Sequence, residues 1–80
     1  MRSVHVQYFA VLRDQAGCSR ETVVTGAATA AELYDELRER HGLRLPPSAL
    51  RVAVNEEFTD WSRPLEDGDQ VVFIPPVAGG

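Results

Sequence analysis

Apolar and polar side chains alternate over residues 3–12, with Val4, Val6 and Tyr8 on one parity and His5, Gln7 and Phe9 on the other. A period of two in a stretch rich in Val and aromatics predicts a strand with one buried face. His5 and Gln7 mark the second face as the wetter one, so Phe9 stands out on it as an apolar side chain open to solvent or to a partner. Arg13-Asp14-Gln15-Ala16-Gly17 then reads as a turn, and residues 21–25 are short and β-branched enough for a second strand that completes a hairpin. The period changes at Thr29-Ala30-Ala31-Glu32, which fits a capping box: Thr accepts from a first-turn amide and Glu reaches back to the cap's own N–H. From residue 30 to 41 the spacing of Ala30, Leu33, Tyr34, Leu37 and His41 gives a helix with one apolar stripe, and Gly42 supplies its stop.

Downstream, residues 43–49 form a connector containing Pro46-Pro47, and residues 50–54 alternate again with Leu50, Val52 and Val54 on one face. A turn at Asn55-Glu56-Glu57 and a short edge strand at Phe58-Thr59 follow. Residues 60–64 are irregular, and residues 65–69 have the acid and glycine content of a tight turn. Val71 to Ile74 is a continuous apolar run that Pro75-Pro76 must end, because two successive residues without a backbone N–H cannot continue a ladder.

The order strand, strand, helix, strands, strand describes an α+β domain with a mixed sheet covered on one face by a single helix. It is similar to the β-grasp arrangement of ubiquitin-like proteins, in which the first and last strands lie side by side. On that expectation Ile74 joins Phe9 in an exposed apolar patch beside the exit of the tail.

Composition narrows the chemistry. All eight basic residues are Arg, against twelve acidic residues and a net charge of −4, with no basic run to neutralise phosphates; nucleic acid is not an expected partner. Without Lys, catalysis by a lysine Schiff base on this chain is excluded. Cys18 is the sole cysteine, so no internal disulfide and no thiolate metal cage can form. His5 and His41 are too isolated for a metal site, Asp67-Gly68-Asp69 serves a turn, and Trp61 is expected as a lid over the small core. No stretch reads as a signal peptide or a membrane span, so a cytoplasmic location is expected. At 80 residues the chain is one domain, 1–80, too small for a deep catalytic cleft of its own.

The remaining candidate for chemistry is the C-terminus. Pro75 and Pro76 stiffen the exit from the last strand, whereas Val77-Ala78-Gly79-Gly80 ends in two residues without a Cβ. A diglycine can enter a channel closed to any side chain and place its terminal carboxylate at a partner's reactive centre. That carboxylate, ionised at neutral pH, is able to attack the α-phosphate of ATP.

Residues 8–14 (Tyr-Phe-Ala-Val-Leu-Arg-Asp) with Gly17, then Val54-Asn55-Glu56-Glu57, Pro64-Leu65-Glu66-Asp67-Gly68-Asp69 and the closing Pro75-Pro76-Val77-Ala78-Gly79-Gly80 resemble the small, sulfur-carrying subunits of molybdopterin synthases. The last block is the most specific. The resemblance implies a cycle in which an ATP-dependent adenylyltransferase activates the carboxylate of Gly80 and a sulfurtransferase system replaces the adenylate with sulfur. The thiocarboxylate then enters a large subunit, in a heterotetramer, and donates sulfur to cyclic pyranopterin monophosphate. It further implies that Phe9, Arg13 and Ile74 contact the large subunit, that the catalytic side chains reside there, and that this chain binds no cofactor or metal itself. Ile74 stands where an aromatic is frequent. Two other classes remain open: a sulfur carrier for thiamine or another sulfur-containing product, and a ubiquitin-like interaction module without sulfur chemistry.

Overall fold

The computed structural model describes residues 1–76; the expectations for Val77, Ala78, Gly79 and Gly80 lie outside the described residues. Five strands, β1 (Arg2–Tyr8), β2 (Arg20–Thr25), β3 (Arg51–Val54), β4 (Glu57–Thr59) and β5 (Gln70–Ile74), form one sheet in the order β2-β1-β5-β3-β4. β1 and β5 run parallel at its centre, and the other neighbours are antiparallel. Helices α1 (Ala10–Ala16) and α2 (Ala30–His41) and a 3-10 turn (Pro47–Ala49) occupy the connections. This is the β-grasp architecture.

Alternation along the strands decides which side chains meet α2. Val4, Val6 and Tyr8 of β1, Val71 and Phe73 of β5, and Val52 and Val54 of β3 are buried against Ala30, Leu33, Tyr34 and Leu37 of the helix. Each large apolar side chain so buried contributes about 1.5–3 kcal/mol, which makes this single layer the main source of stability. The stripe of α2 is the one its spacing predicts, except that His41 at its end is only partly buried. Thr29 caps the helix, its Oγ1 accepting from the Glu32 N–H at 3.3 Å. Glu32 does not complete the reciprocal bond: its carboxylate accepts instead from the Ala28 N–H at 3.4 Å, one residue earlier than a capping box requires. Gly42 ends the helix at φ 69°, donating its N–H to the Arg38 carbonyl.

Two expectations are corrected. The first strand stops at Tyr8 rather than at residue 12, and residues 10–16, read as strand and turn, are helical. Ala10 takes φ 51°, which breaks the strand, and Leu12 then turns into the core with no exposure. Gly17 closes α1 at φ 79° with its N–H on the Arg13 carbonyl, so the glycine expected to serve a turn serves a helix C-terminus. A short helix, α1, therefore accompanies the main helix α2. Elsewhere the differences are one residue at element ends: β2 starts at Arg20 and β3 at Arg51. The β3–β4 turn is a two-residue connection in which Asn55 (φ 52°) and Glu56 (φ 71°) are both left-handed, the geometry that matches the twist of a hairpin.

Candidate functional site at the tail exit

β5 carries the chain to the tail. Because β1 lies parallel beside it with Tyr8 opposite Phe73, the next residues, Phe9 and Ile74, emerge at the same end of the sheet. Phe9 is 42% exposed and Ile74 is half-buried, followed by a half-buried Pro75 and an exposed Pro76. Phe9 is extended (φ −122°, ψ 153°) and opens α1 as its N-cap, its carbonyl accepting from the Leu12 N–H at 3.1 Å. Its exposure thus has a different origin from strand alternation: α1 begins at Phe9, and the helix turns Leu12 inward while leaving Phe9 and Val11 outside. Arg13 projects from the same short helix, with Nε 3.9 Å from Asp14 and both side chains in solvent.

Beneath the exit the aromatic rings are packed tightly. Phe73 stacks on Tyr8 (centroids 6.4 Å, 29°) and on Trp61 (6.0 Å, 11°) and meets Tyr34 at 5.1 Å. Trp61 is the lid expected from its sequence position, lying over Phe73 and Tyr34 at the edge of the core. The residue before Ile74 is therefore fixed on all sides, which supplies a rigid base from which Pro75 and Pro76 depart.

A polar cluster joins this base to the rest of the fold. The Tyr8 hydroxyl donates to Glu21 Oε2 at 2.6 Å, and His41 Nε2 donates to the same oxygen at 2.7 Å, with the imidazole edge-on to the Tyr8 ring. Three elements, β1, β2 and α2, meet in these bonds. Burial, and then the neighbouring carboxylate, push the Tyr8 hydroxyl far above the ordinary tyrosine range. Burial alone would raise Glu21, but the bonds from Tyr8 and His41 and the positive charges near it outweigh that and hold its carboxyl below the usual range. The signal that the sequence did carry was His41 on the apolar stripe of α2, a position from which an imidazole must find a polar partner.

The other candidates lack reactive geometry. Cys18 packs partly against the core, and burial, then the charge of Glu21, push its thiol up, away from the thiolate that a nucleophile needs. His5 Nδ1 lies 3.2 Å from Thr22 Oγ1 on the exposed face of the sheet, with no carboxylate bonded to the imidazole among the described residues. Asp69 is 5% exposed and serves its turn, accepting from the Asn55 amide at 3.0 Å and the Glu66 N–H at 2.8 Å. A shallow depression of about 520 Å³ lies on the open face between His5, Gln7, Arg20, Thr22, Gln70 and Val72, toward the start of β5 and away from the tail. Its walls hold no preorganised group for chemistry, so the tail exit, not this depression, is the better functional candidate. Among the described residues no three His, Cys, Asp or Glu side chains converge as metal ligands, and no helix is long and apolar enough to cross a membrane.

The described residues form a β-grasp domain whose last central strand ends at an aromatic-backed double proline. The ThiS family matches residues 6–80, and the chain belongs to it. It is 40% identical over 82 residues to the molybdopterin synthase sulfur carrier subunit of Drosophila melanogaster, covering 98% of this chain and 91% of that one. To the protein of the same description from Escherichia coli it is 34% identical over 80 residues, covering 96% and 99%. Among solved structures, a putative molybdopterin converting factor subunit 1 from Pyrococcus furiosus superposes with a TM-score of 0.80 at 30% identity, over 96% of this chain and all of the other. Subunit 1 of the molybdopterin-converting factor of Helicobacter pylori, determined as a complex with subunit 2, gives 0.69 at 29% identity, covering 98% and 99%.

Proposed function

We propose that this chain is the sulfur carrier subunit of a molybdopterin synthase. The Gly80 carboxylate attacks the α-phosphate of ATP on an adenylyltransferase, releasing pyrophosphate. A sulfur nucleophile supplied by a sulfurtransferase system displaces AMP and leaves a thiocarboxylate. The tail, residues 75–80, then enters the large subunit, where the sulfur passes to cyclic pyranopterin monophosphate in building the dithiolene. Adenylation supplies the leaving group, and a thiocarboxylate sulfur is the soft nucleophile that a plain carboxylate lacks.

The observation that carries this reading is the likeness, over nearly the whole chain, to proteins described as molybdopterin synthase sulfur carrier subunits, joined to an ending in Pro75-Pro76-Val77-Ala78-Gly79-Gly80. The exit beside Phe9 supports it, because an exposed apolar side chain next to the end of β5 suits a docked partner. Phe9, Arg13 and Ile74 are the residues we assign to the large-subunit contact. The reading is tested by mass spectrometry of the intact chain after incubation with ATP, the adenylyltransferase and a sulfur source. Replacement of one oxygen by sulfur at Gly80, followed by its loss on adding the large subunit and cyclic pyranopterin monophosphate, is the expected result. A chain that gains no sulfur is no carrier; one that gains sulfur and passes it only to a different acceptor belongs to another pathway.

A further inference from the structure

The Tyr8, Glu21 and His41 side chains form a cluster that the proposed chemistry does not use, and its bonds converge on one atom. Glu21 Oε2 lies 2.6 Å from the Tyr8 hydroxyl and 2.7 Å from His41 Nε2. An ionised carboxylate only accepts, so both neighbours donate to it. Glu21 comes from β2, at the edge of the sheet, and His41 is the last residue of α2. This one oxygen therefore ties the edge strand and the helix end to the central strand β1. Tyr8 is 1% exposed, and among the described residues its hydroxyl bonds to Glu21 alone.

Tyr8 stands opposite Phe73 in the last pair of the parallel β1–β5 register. Beyond it β1 breaks at Ala10, with φ 51°, and β5 runs into Pro75. On the β3 side one further pair follows, Arg51 with Ile74, but on the β1 side the hold on the exit passes to side chains. The Tyr8 ring stacks on Phe73 at 6.4 Å and 29°. Bonded at its hydroxyl, that ring is anchored at both ends, and the face it offers Phe73 is set by where Glu21 stands. The prolines have a fixed φ, so a change of direction at Phe73 is carried along the exit rather than absorbed within it.

We propose that Glu21 is a positioning residue for sulfur transfer: acting through Tyr8 and Phe73, it sets the direction in which Pro75 and Pro76 leave β5, and so the delivery of the C-terminal sulfur to the partner's reactive centre. The inference rests on the sulfur-carrier reading, and it names a residue outside the contact assigned to the large subunit. Losing the acceptor leaves that contact in place. Docking then persists while transfer from the docked chain slows, because a small misplacement of reacting atoms costs rate more than affinity. Glu21 supplies position here rather than charge, so an amide oxygen at the same place is sufficient.

Full-length chains loaded with sulfur at Gly80, verified by intact mass, are mixed with saturating large subunit and cyclic pyranopterin monophosphate. Loss of sulfur is followed over a single turnover, and calorimetry gives the affinity separately. Glu21→Ala and Tyr8→Phe are each expected to slow transfer about tenfold while affinity for the large subunit stays within about twofold of the parent. Glu21→Gln, which keeps a carbonyl oxygen for the Tyr8 hydroxyl, is expected to bring the rate back to within about threefold of the parent, although without the charge it is less stable. Thr25→Val is the control. The Thr25 hydroxyl donates to Glu36 at 2.6 Å and accepts from the Ala27 N–H at 3.0 Å, so the same strand loses two polar bonds, but opposite Arg2, at the end of β1 remote from the exit. It is expected to lower the thermal midpoint and leave the transfer rate unchanged. Should Glu21→Ala not fold, Tyr8→Phe, which keeps the ring, decides the matter. Transfer at the parent rate by Tyr8→Phe, no recovery in Glu21→Gln, or equal slowing by Thr25→Val overturns the proposal and leaves the sulfur-carrier reading intact. A parent chain that cannot be loaded, or that passes no sulfur to this acceptor, overturns that reading and the proposal with it.

Discussion

The indole of Trp61 lies within 11° of parallel to the Phe73 ring, 6.0 Å from it, and so covers the last core residue before the tail. Trp61 comes from an irregular segment, yet its neighbours in that segment are tied down: the Trp61 carbonyl accepts from the Ala31 N–H at 2.9 Å and the Arg63 carbonyl from the Ala30 N–H at 3.0 Å. The loop thereby satisfies two amides of the first turn of α2 and sets its aromatic over the strand that carries the exit.

Replacing Trp61 by Ala is expected to lower the unfolding free energy by about 2 kcal/mol, below the 3–5 typical of a fully buried Trp because the ring is only partly covered. Urea unfolding followed by circular dichroism measures it. Trp61→Phe should recover more than half of the loss; an alanine variant as stable as the parent would show that the lid contributes nothing.

The Tyr8–Glu21–His41 cluster fixes a pH dependence at both ends. Glu21 has a folded pKa below its ordinary 4.5, so its contribution is present above that value and is lost as pH falls through the lower folded value. Tyr8 is raised from 10.0, so its contribution is complete below pH 10 and declines as pH climbs beyond it, where only the unfolded chain ionises. Glu21→Gln is expected to reduce stability at pH 7 and to flatten the acid limb in melts taken between pH 3 and 7. An unchanged acid limb would remove Glu21 from the account.

Phe9→Ala is expected to weaken binding to the large subunit by about tenfold with little change in the thermal midpoint. The ring is 42% exposed and its structural duty at the start of α1 is performed by the backbone carbonyl, which alanine retains. Calorimetric titration alongside a melt separates the two effects.

Deleting Gly80 is expected to abolish thiocarboxylate formation while leaving the fold intact. The core elements end at Ile74, six residues before the terminus, so no described packing depends on it. Intact mass after incubation with the activating system reads the outcome, and sulfur found on the shortened chain would place the reactive group elsewhere.

Much of this was written locally. The Thr29 cap, the 3,4 spacing of Ala30, Leu33, Tyr34 and Leu37, and the Gly42 stop set both ends of α2, because each acts within a turn of helix. Alternation placed Val4, Val6 and Tyr8 inside, and the prolines ended β5 at Ile74. The diglycine and its lead-in carry the proposed chemistry, since glycine and proline act through their own backbones.

Local sequence was enough, then, for the periodic elements and for the end of β5. Tertiary structure decided α1, the Glu21 cluster and the composition of the open face. A seven-residue helix cannot form alone, because nucleation outweighs so few hydrogen bonds; Leu12 had to find the core first, and only then did Gly17 read as its end. Tyr8, Glu21 and His41 are separated by 13 and 20 residues, and Phe58 meets Arg51 only once β3 and β4 pair. Such contacts depend on strand register and helix placement, which no short window of sequence contains.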